Sequence, residues 1–187
     1  IIISKADQLE GMINDLIEFV RMDTGEWRSR LQKIDIGEFL KSFAKRISLD
    51  AELFHHHTEI DIALPPSLYV PLDERLTLRA LENLVNNAIR YTPDGTTVRL
   101  GAAVVENTIR IMISDNGPGI NKADLPHVFE AFYRGTSSRR EEGMGLGLSI
   151  VKWVVVSHGW FIAASSEQSL GNKASETCFT ITIPLGK

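Results

Sequence analysis

Strand-like and helix-like patterns alternate along this chain around one β-hairpin, and this alternation does most to limit its fold. The apolar runs Val98–Val105 and Ile109–Ser114 have the length of strands, and the polar segment Glu106-Asn107-Thr108 joins them. Together they predict the hairpin, and helical patterns precede and follow it. Helices and strands interleaved in this way predict an α/β (α+β) two-layer sandwich, in which helices cover one face of a mixed, mostly antiparallel sheet.

The other elements can be placed from apolar spacing and capping residues. Asp35 is positioned to cap a helix from about Gly37 to Phe54, and Asp73 to cap a second helix that ends before the turn Pro93-Asp94-Gly95. A third helix is predicted at Leu148–Ser157. The second helix is expected to bury Leu76, Leu81, Leu84, Val85 and Ala88. Further strands are predicted near Ile34, at Ile60–Leu64, at Trp160–Ser165 and at Thr177–Pro184.

Composition excludes several classes of protein. The 187 residues carry 20 Lys and Arg against 24 Asp and Glu, a net charge of −4, whereas a nucleic-acid binder generally needs a basic surplus. The single cysteine, Cys178, excludes an internal disulfide and a cysteine-based zinc site. The longest strictly apolar run, Trp160–Ala164, is far shorter than the roughly 20 residues that cross a bilayer. We therefore expect a globular domain that contacts neither nucleic acid nor membrane.

The first twenty residues follow a different pattern. Apolar residues recur there at alternating intervals of four and three, at Ile2, Ala6, Leu9, Ile13, Leu16 and Val20. This heptad seam predicts part of a helical dimerisation bundle, and a terminal helix packed on its own domain is the alternative. The polar stretch Asp23–Lys33 is typical of a linker. We predict a helix and linker over residues 1–30 and a second unit over residues 31–187, and, since the chain begins without Met, we expect a piece of a longer protein.

The second predicted helix carries an unusual polar face. Asn83 and Asn87 are four residues apart and so share that face, although Asn is a mediocre helix former. An amide oxygen can take a place in a magnesium shell shared with phosphates. Arg90 and Tyr91 follow within one turn and could reach the same anion. A solvated polar face is the alternative.

The strand Ile109–Ser114 delivers an acid, Asp115, into a turn that contains Gly117 and Gly119. A carboxylate there can accept a hydrogen bond from an exocyclic amine such as that of adenine. The glycines let the backbone approach a flat ring closely. Taken alone, the segment is equally typical of a tight turn.

Two further segments frame a long polar loop. Phe129–Arg134 contains two apolar rings that could anchor the loop, beside Arg134, which could pair with phosphate. A short helix with an exposed basic end is the alternative. Gly143–Gly147 leads directly into the third helix, where free backbone N–H groups favour an anion. It is not a Walker P-loop, since no Gly-Lys-Ser or Gly-Lys-Thr follows.

In this order, the four segments resemble the nucleotide motifs of the catalytic and ATP-binding domain of bacterial sensor histidine kinases, in the superfamily shared with gyrase, the Hsp90 chaperone and MutL. The N, G1, F and G2 boxes of that family correspond to Asn83–Tyr91, Asp115–Gly119, Phe129–Arg134 and Gly143–Gly147. Thr177-Cys178-Phe179 resembles the last, weaker box. The resemblance covers about residues 31–187 and implies a Bergerat-type ATP-binding fold.

The resemblance also implies roles for individual residues. Asn87 would bind Mg²⁺ with Asn83 in support, and Asp115 would bind the adenine amino group, with Thr177 in the adenine network. Catalysis is implied for Asn83, Asn87, Arg90 and Arg134. Nucleotide contacts are implied for Gly117, Gly119, Ile120 and Leu148 around adenine, for Arg90, Tyr91 and Arg134 at the phosphates or sugar, and for Gly143, Gly145, Leu146 and Gly147. The segment from about Asn121 to Met144 would be the ATP lid.

By the same resemblance, the chain is an ATP- and Mg²⁺-dependent protein histidine kinase. It would present the γ-phosphate to a histidine on a dimerisation bundle, for relay to an aspartate of a response regulator, and residues 1–30 would hold the end of the second bundle helix. None of the five histidines lies in the setting of that acceptor. We predict a solvated helix end for His55–His57, with a metal cluster as the alternative. The expected context is a cytoplasmic domain of a homodimer, of a class often anchored in the cell membrane.

Two other functions stay open. The domain could hold nucleotide as a regulatory ligand and act as a dimeric scaffold or docking module without useful catalysis. It could also be an ATPase of the gyrase or Hsp90 type, in which a glutamate on the same helix activates water. Glu82 precedes Asn83 and lies about 100° away round the helix, so it is predicted to face elsewhere.

Overall fold

A computed structural model describes residue 13 and residues 30–135, 144–167 and 175–186. The heptad seam apart from Ile13, most of the predicted linker, and Gly143 therefore lie outside the described residues, and the division at residue 30 stays a prediction. A 3₁₀ turn at Leu125–His127 precedes the last helix. The helices and strands are β1 (Gln32–Asp35), α1 (Ile36–Leu53), β2 (His57–Ala63), β3 (Tyr69–Leu72), α2 (Glu74–Arg90), β4 (Thr97–Val105), β5 (Thr108–Asp115), α3 (Gly147–Ser157), β6 (Phe161–Glu167) and β7 (Glu176–Pro184).

The main sheet has five strands in the order β2-β4-β5-β7-β6. The pair β2–β4 is parallel and the other three pairs are antiparallel, so the predicted mixed, mostly antiparallel sheet is confirmed. A second, two-stranded sheet pairs β1 with β3. The sequence patterns did not predict β3, because it is only four residues long and contains Pro71, a residue that argues against a strand except at an edge.

Both predicted caps are present. The amides of Gly37 and Glu38 donate to Asp35 Oδ1 at 3.0 and 3.2 Å, and the amide of Leu76 donates to Asp73 Oδ1 at 3.0 Å. Each carboxylate satisfies N–H groups that have no partner within the helix. The capping residues thus fix where α1 and α2 begin, as the sequence indicates.

The core lies between the helices and one face of the main sheet. Strand β5 alternates cleanly, with Ile109, Ile111 and Ile113 buried and Arg110 and Met112 on the opposite, open face. The predicted apolar face of α2 is buried throughout, and α2 packs on α3. Burying each of these aliphatic side chains stabilises the fold by roughly 1.5–3 kcal/mol. Helices on one face of the sheet are therefore confirmed.

In the described part of the chain, no helix combines the length and the apolar character that a membrane crossing requires.

Candidate nucleotide site

Asp115 is the last residue of β5 and is only 5% exposed. Its strand neighbour across the β5–β7 ladder is Thr177, which is also buried. The amide of Gly117 donates to Asp115 Oδ1 at 2.9 Å. Burial raises the pKa of Asp115 to about 6; the Gly117 hydrogen bond and His56 lower it, and Glu176 raises it further. An acid held in this way near neutrality at a strand end is a candidate binding group.

Gly117 brings the turn after Asp115 against the end of α2. A Cβ at Gly117 would lie 2.3 Å from Thr92 Cγ2 and 2.8 Å from Asp115 Oδ1, distances that no real side chain tolerates. Thr92 follows directly after α2, and its hydroxyl donates to the Ala88 carbonyl in the last turn of that helix. The strand that carries the acid and the helix that carries the asparagines therefore meet here. Gly119 and Ile120 continue the same turn.

The asparagine face of α2 points toward the start of α3. Asn83 and Asn87 are both partly buried, and a Cβ at Gly147 would lie 3.3 Å from Asn83 Oδ1. The Asn83 Nδ2 atom is buried without a hydrogen-bond partner. An unpaired buried donor is costly, and an oxygen of a bound phosphate or of metal-bound water would satisfy it. The asparagine face of α2 and the start of α3 are therefore adjacent.

Glu82, the neighbour of Asn83, faces away from this site. Its carboxylate pairs with Arg46 of α1, whereas Asn83 lies beside Gly147 at the start of α3. The sequence prediction that Glu82 faces elsewhere is confirmed.

The predicted phosphate-binding cations lie on two different elements. Arg90 is exposed in the last turn of α2, with its guanidinium carbon 5.9 Å from the centroid of the Tyr91 ring. Arg134 is partly buried at the end of the F segment. Both are engaged in the structure by other groups.

The two rings of the F segment, Phe129–Arg134, differ in exposure. Phe129 makes an edge-on contact with Phe179 at 6.1 Å between centroids, whereas Phe132 is 58% exposed with a φ of 64°. Anchoring of the loop by both rings stays a prediction. The Phe132 amide donates to the Gly145 carbonyl at 3.0 Å, which ties the F segment to the glycine-rich segment.

Two residues of the glycine-rich segment have fixed roles. Gly145 has a φ of 71°, and a Cβ there would lie 2.6 Å from the Tyr133 carbonyl oxygen, so the position requires glycine. Leu146 is 1% exposed in the core, and its nucleotide contact stays a prediction. Ile120 and Leu148 pack at the edge of the core, as expected of a pocket wall.

Asp124 is a residue of this region that the sequence patterns did not predict. It is buried, and Tyr133 Oη donates to its Oδ1 at 2.8 Å. A Cβ at Gly135 would lie 2.9 Å from its Oδ2. Asp124 therefore folds the F segment back on the start of the predicted lid. A lone acid in a polar loop has no periodicity, so no sequence signal distinguishes it.

The histidine triplet differs from its prediction. Helix α1 ends at Leu53, before the triplet, and His57 begins β2. His55 and His57 are exposed, but His56 is only 7% exposed, so a solvated helix end is wrong. The described residues contain no group of three or more His, Cys, Asp or Glu side chains that could hold a metal ion.

The asparagine face of α2 is chemically suited to a metal. Its neutral amide oxygens, beside the Asn83 Nδ2 donor that has no hydrogen-bond partner, fit a hydrated Mg²⁺ shared with phosphates.

Comparison with known proteins agrees with this geometry. Residues 72–187 match the family model of histidine kinase-, DNA gyrase B- and HSP90-like ATPases. The sensor-like histidine kinase SenX3 of Mycolicibacterium smegmatis is 34% identical over 184 residues, covering 97% of this chain and 46% of SenX3. The mycobacterial sensor histidine kinase MprB superposes with a TM-score of 0.70 at 28% identity, over 82% of this chain and 97% of the MprB chain. Full-length ShkA in complex with AMPPNP superposes with a TM-score of 0.78 at 23% identity, over 98% and 37%.

The two-layer sandwich and this site are those of the class of ATP-binding domains. The chain belongs to the family of histidine kinase-, DNA gyrase B- and HSP90-like ATPases. The resemblance to the histidine kinase branch is confirmed by its similarity to SenX3 and MprB. The chain spans less than half the length of SenX3, 46%.

Proposed function

We propose that this chain is the ATP-binding catalytic domain of a two-component sensor histidine kinase. The observation that carries the proposal is that α2 contacts both the Asp115 turn and the start of α3. The Asp115 turn packs on Thr92 at the end of α2, and the asparagine face of α2 abuts Gly147 at the start of α3. In this proposal, the purine lies beside the Asp115 turn, and the triphosphate lies beside the asparagine face and Gly147. ShkA, which shares the fold, is described with the ATP analogue AMPPNP.

The adenine end of the site is built on Asp115. Its ionised carboxylate accepts a hydrogen bond from the exocyclic amine, and Gly117 keeps the wall of the turn free of side-chain atoms. Ile120 and Leu148 cover the ring. Thr177, the strand neighbour of Asp115, completes the polar network on the side of β7.

The phosphate end is built on α2 and the start of α3. Asn87 would bind Mg²⁺ with Asn83 in support, and the ion would neutralise charge on the phosphates. Arg90, Tyr91 and Arg134 contact the phosphates or sugar, and the backbone at Gly145, Leu146 and Gly147 donates N–H groups to them. This chain therefore acts through positioning and charge neutralisation.

The reaction needs an acceptor outside the described residues. A histidine ring nitrogen of a dimerisation bundle attacks the γ-phosphorus, the bond from that phosphorus to the bridging oxygen breaks, and ADP leaves with the electron pair. The phosphohistidine then passes its phosphoryl group to an aspartate of a response regulator. In this proposal residues 1–30 belong to the bundle and its linker, residues 31–187 form the catalytic domain, and the parent is a homodimer whose catalytic domain lies in the cytoplasm.

The decisive experiment supplies the missing acceptor. The full-length parent, or this chain mixed with its histidine bundle, is incubated with ATP labelled at the γ-phosphate. We expect acid-labile, base-stable label on the bundle histidine, and none with Asp115→Asn. Absence of label from a folded protein that binds ATP would instead favour the nucleotide-regulated scaffold.

The ATPase alternative is disfavoured by one contact. Glu82, the residue available as a water-activating base, pairs with Arg46 on α1 and so is turned away from the asparagine face.

A further inference from the structure

His56 is a buried histidine that the proposed function does not use. It sits in the turn between α1 and β2, between two exposed histidines, and its ring borders an open polar cleft lined by Ser48, Glu52 and Thr58. Backbone hydrogen bonds join this turn to the loop that follows α2. The amide of Gly95 donates to the His55 carbonyl at 2.8 Å, and the amide of His57 donates to the Thr96 carbonyl at 3.0 Å.

Both ring nitrogens of His56 make polar contacts. Its Nδ1 lies 2.6 Å from the Phe54 carbonyl oxygen, and its Nε2 lies 2.9 Å from Thr92 Oγ1. The Thr92 hydroxyl in turn lies 2.6 Å from the Ala88 carbonyl oxygen. Carbonyl oxygens only accept, so Nδ1 carries one proton and the single Thr92 proton serves Ala88. The contact between Nε2 and Thr92 Oγ1 completes a chain of polar contacts from Phe54 through His56 and Thr92 to Ala88.

These bonds fix the side chain against which the adenine turn packs. Thr92 Oγ1 is held by His56 and by Ala88, which leaves its methyl group directed at Gly117. Gly117 in turn donates to Asp115 Oδ1. His56 and Glu176 are the neighbouring titratable groups that act on Asp115. The chain of contacts therefore runs from His56 through Thr92 and Gly117 to the adenine-binding carboxylate.

We propose that His56 is a positioning residue of the nucleotide site, which sets the orientation of Asp115 toward adenine by locking Thr92 against Gly117. The inference rests on the proposed function of the Asp115 turn as the adenine subsite. It predicts that loss of the His56–Thr92 bond impairs the choice of base rather than the grip on the phosphates.

The test separates the two ring nitrogens. In His56→Asn the amide nitrogen stands as many bonds from Cα as Nδ1 does, so it can still donate to Phe54 but does not reach Thr92. In His56→Gln the amide nitrogen stands where Nε2 does and restores a donor to Thr92. His55→Asn, in the exposed neighbour, is the matched control.

Dissociation constants for ATP and GTP are measured with Mg²⁺ for each variant of the chain. We expect His56→Asn to bind ATP about tenfold more weakly, as for the loss of one hydrogen bond. Its affinity for GTP should change little, because guanine carries a carbonyl where adenine carries the amine. His56→Gln should recover most of the ATP affinity, and His55→Asn should match the parent. Equal losses for ATP and GTP would mean a merely structural role and would overturn the inference.

A second variant guards against misfolding of the first. Thr92→Ser keeps the hydroxyl and its two hydrogen bonds but removes the methyl group that packs on Gly117. We expect it to lower the ATP-to-GTP affinity ratio in the same direction as His56→Asn. If the parent binds ATP but both variants keep its ratio, the inference fails and the proposed function stands. If the parent does not bind ATP, the proposed function itself fails.

Discussion

At the scale of the residue, Asp115 shows how burial and function meet in one side chain. The carboxyl lies at a strand end among buried groups, and the loss of solvation raises its pKa to about 6. Near neutral pH it is ionised and can accept a charge-assisted hydrogen bond from an amine. Below its pKa it is neutral and a poorer acceptor. Base recognition should therefore depend on pH within the range where the fold is stable.

We predict that ATP binds about tenfold more weakly at pH 5 than at pH 7.5, because about nine-tenths of the Asp115 carboxyl is protonated one unit below its pKa. Calorimetric titration with ATP across this range measures the effect. Asp115→Asn is the control, since it leaves the titration of the ATP phosphates unchanged and removes only that of residue 115. Parallel pH profiles for the parent and Asp115→Asn would contradict the prediction.

Gly117 is the second critical residue at this scale. In Gly117→Ala the new methyl group collides with Thr92 Cγ2, since 2.3 Å separates their positions, and overpacking of this kind costs about 1–3 kcal/mol. We expect ATP affinity to fall by at least about tenfold, with a lower unfolding midpoint. Gly147→Ala is the matched comparison, because its nearest contact is 3.3 Å from Asn83 Oδ1, and its unfolding midpoint should fall less. Equal unfolding midpoints for the two variants would refute this account.

The roles of individual residues were predicted less completely from the sequence than the helices and strands were. Asp115, Gly117 and Asn83 were found because each lies in a motif with neighbours of the same chemistry. His56 and Asp124 were not, since their partners Thr92 and Tyr133 come from separate turns of the chain. A buried polar residue whose partner is remote in sequence leaves no local pattern.

At the scale of the element, the capping residues predicted where the helices begin, and the apolar spacing predicted which helix faces are buried. Asp35 and Asp73 begin the two long helices as predicted. The short strand β3 was not predicted, because four residues with one proline carry too little alternation.

A further junction, between α2 and α3, depends on a histidine. The Asp73 amide donates to His158 Nε2 at 3.0 Å, and His158 Nδ1 lies 2.7 Å from the Val154 carbonyl oxygen.

This junction makes stability depend on pH. The bonds of His158 require the neutral ring with its proton on Nδ1, and burial lowers the pKa of His158 below its ordinary 6.5. Above pH 6.5 neither the folded nor the unfolded chain binds this proton, so the contribution is complete. As pH falls below 6.5 the unfolded chain is protonated first, and stability is lost.

We predict that the free energy of unfolding, measured with urea, falls between pH 7.5 and pH 5.5 more steeply in the parent than in His158→Gln. Glutamine offers an amide oxygen at the position of Nε2 and does not titrate. The contribution of Asp115 has the opposite sign, because its raised pKa favours the folded form at low pH, and it is common to both proteins. A His158→Gln variant that loses stability with acid as fast as the parent would exclude this role.

At the scale of the whole molecule, one sheet face carries the core and one end carries the site. Helix α2 divides its polar residues between two neighbours, with Glu82 facing α1 and Asn83 facing α3. The fold class was predictable because the interleaved pattern extends along most of the chain.

We predict that Glu82→Ala retains phosphotransfer to the bundle histidine within about twofold, since an exposed ion pair contributes little. The rate of labelling from ATP, measured in the full-length parent, gives the comparison, with Asn87→Ala as the variant expected to lose transfer. A loss of ATP turnover in Glu82→Ala equal to that in Asn87→Ala would move the chain to the ATPase branch.

The parallel pairing of β2 with β4 has one further consequence. The chain must return over the sheet between these strands, and α2 is the main element of that return. Only residues 91–96 separate α2 from β4, and β4 leads through a tight hairpin to β5 and Asp115. The spacing between the purine end and the metal end is thus dictated by covalent connectivity. Inserting residues into 91–96 would shift Asp115 relative to the asparagine face of α2, and it would also disturb Thr92, which packs on Gly117.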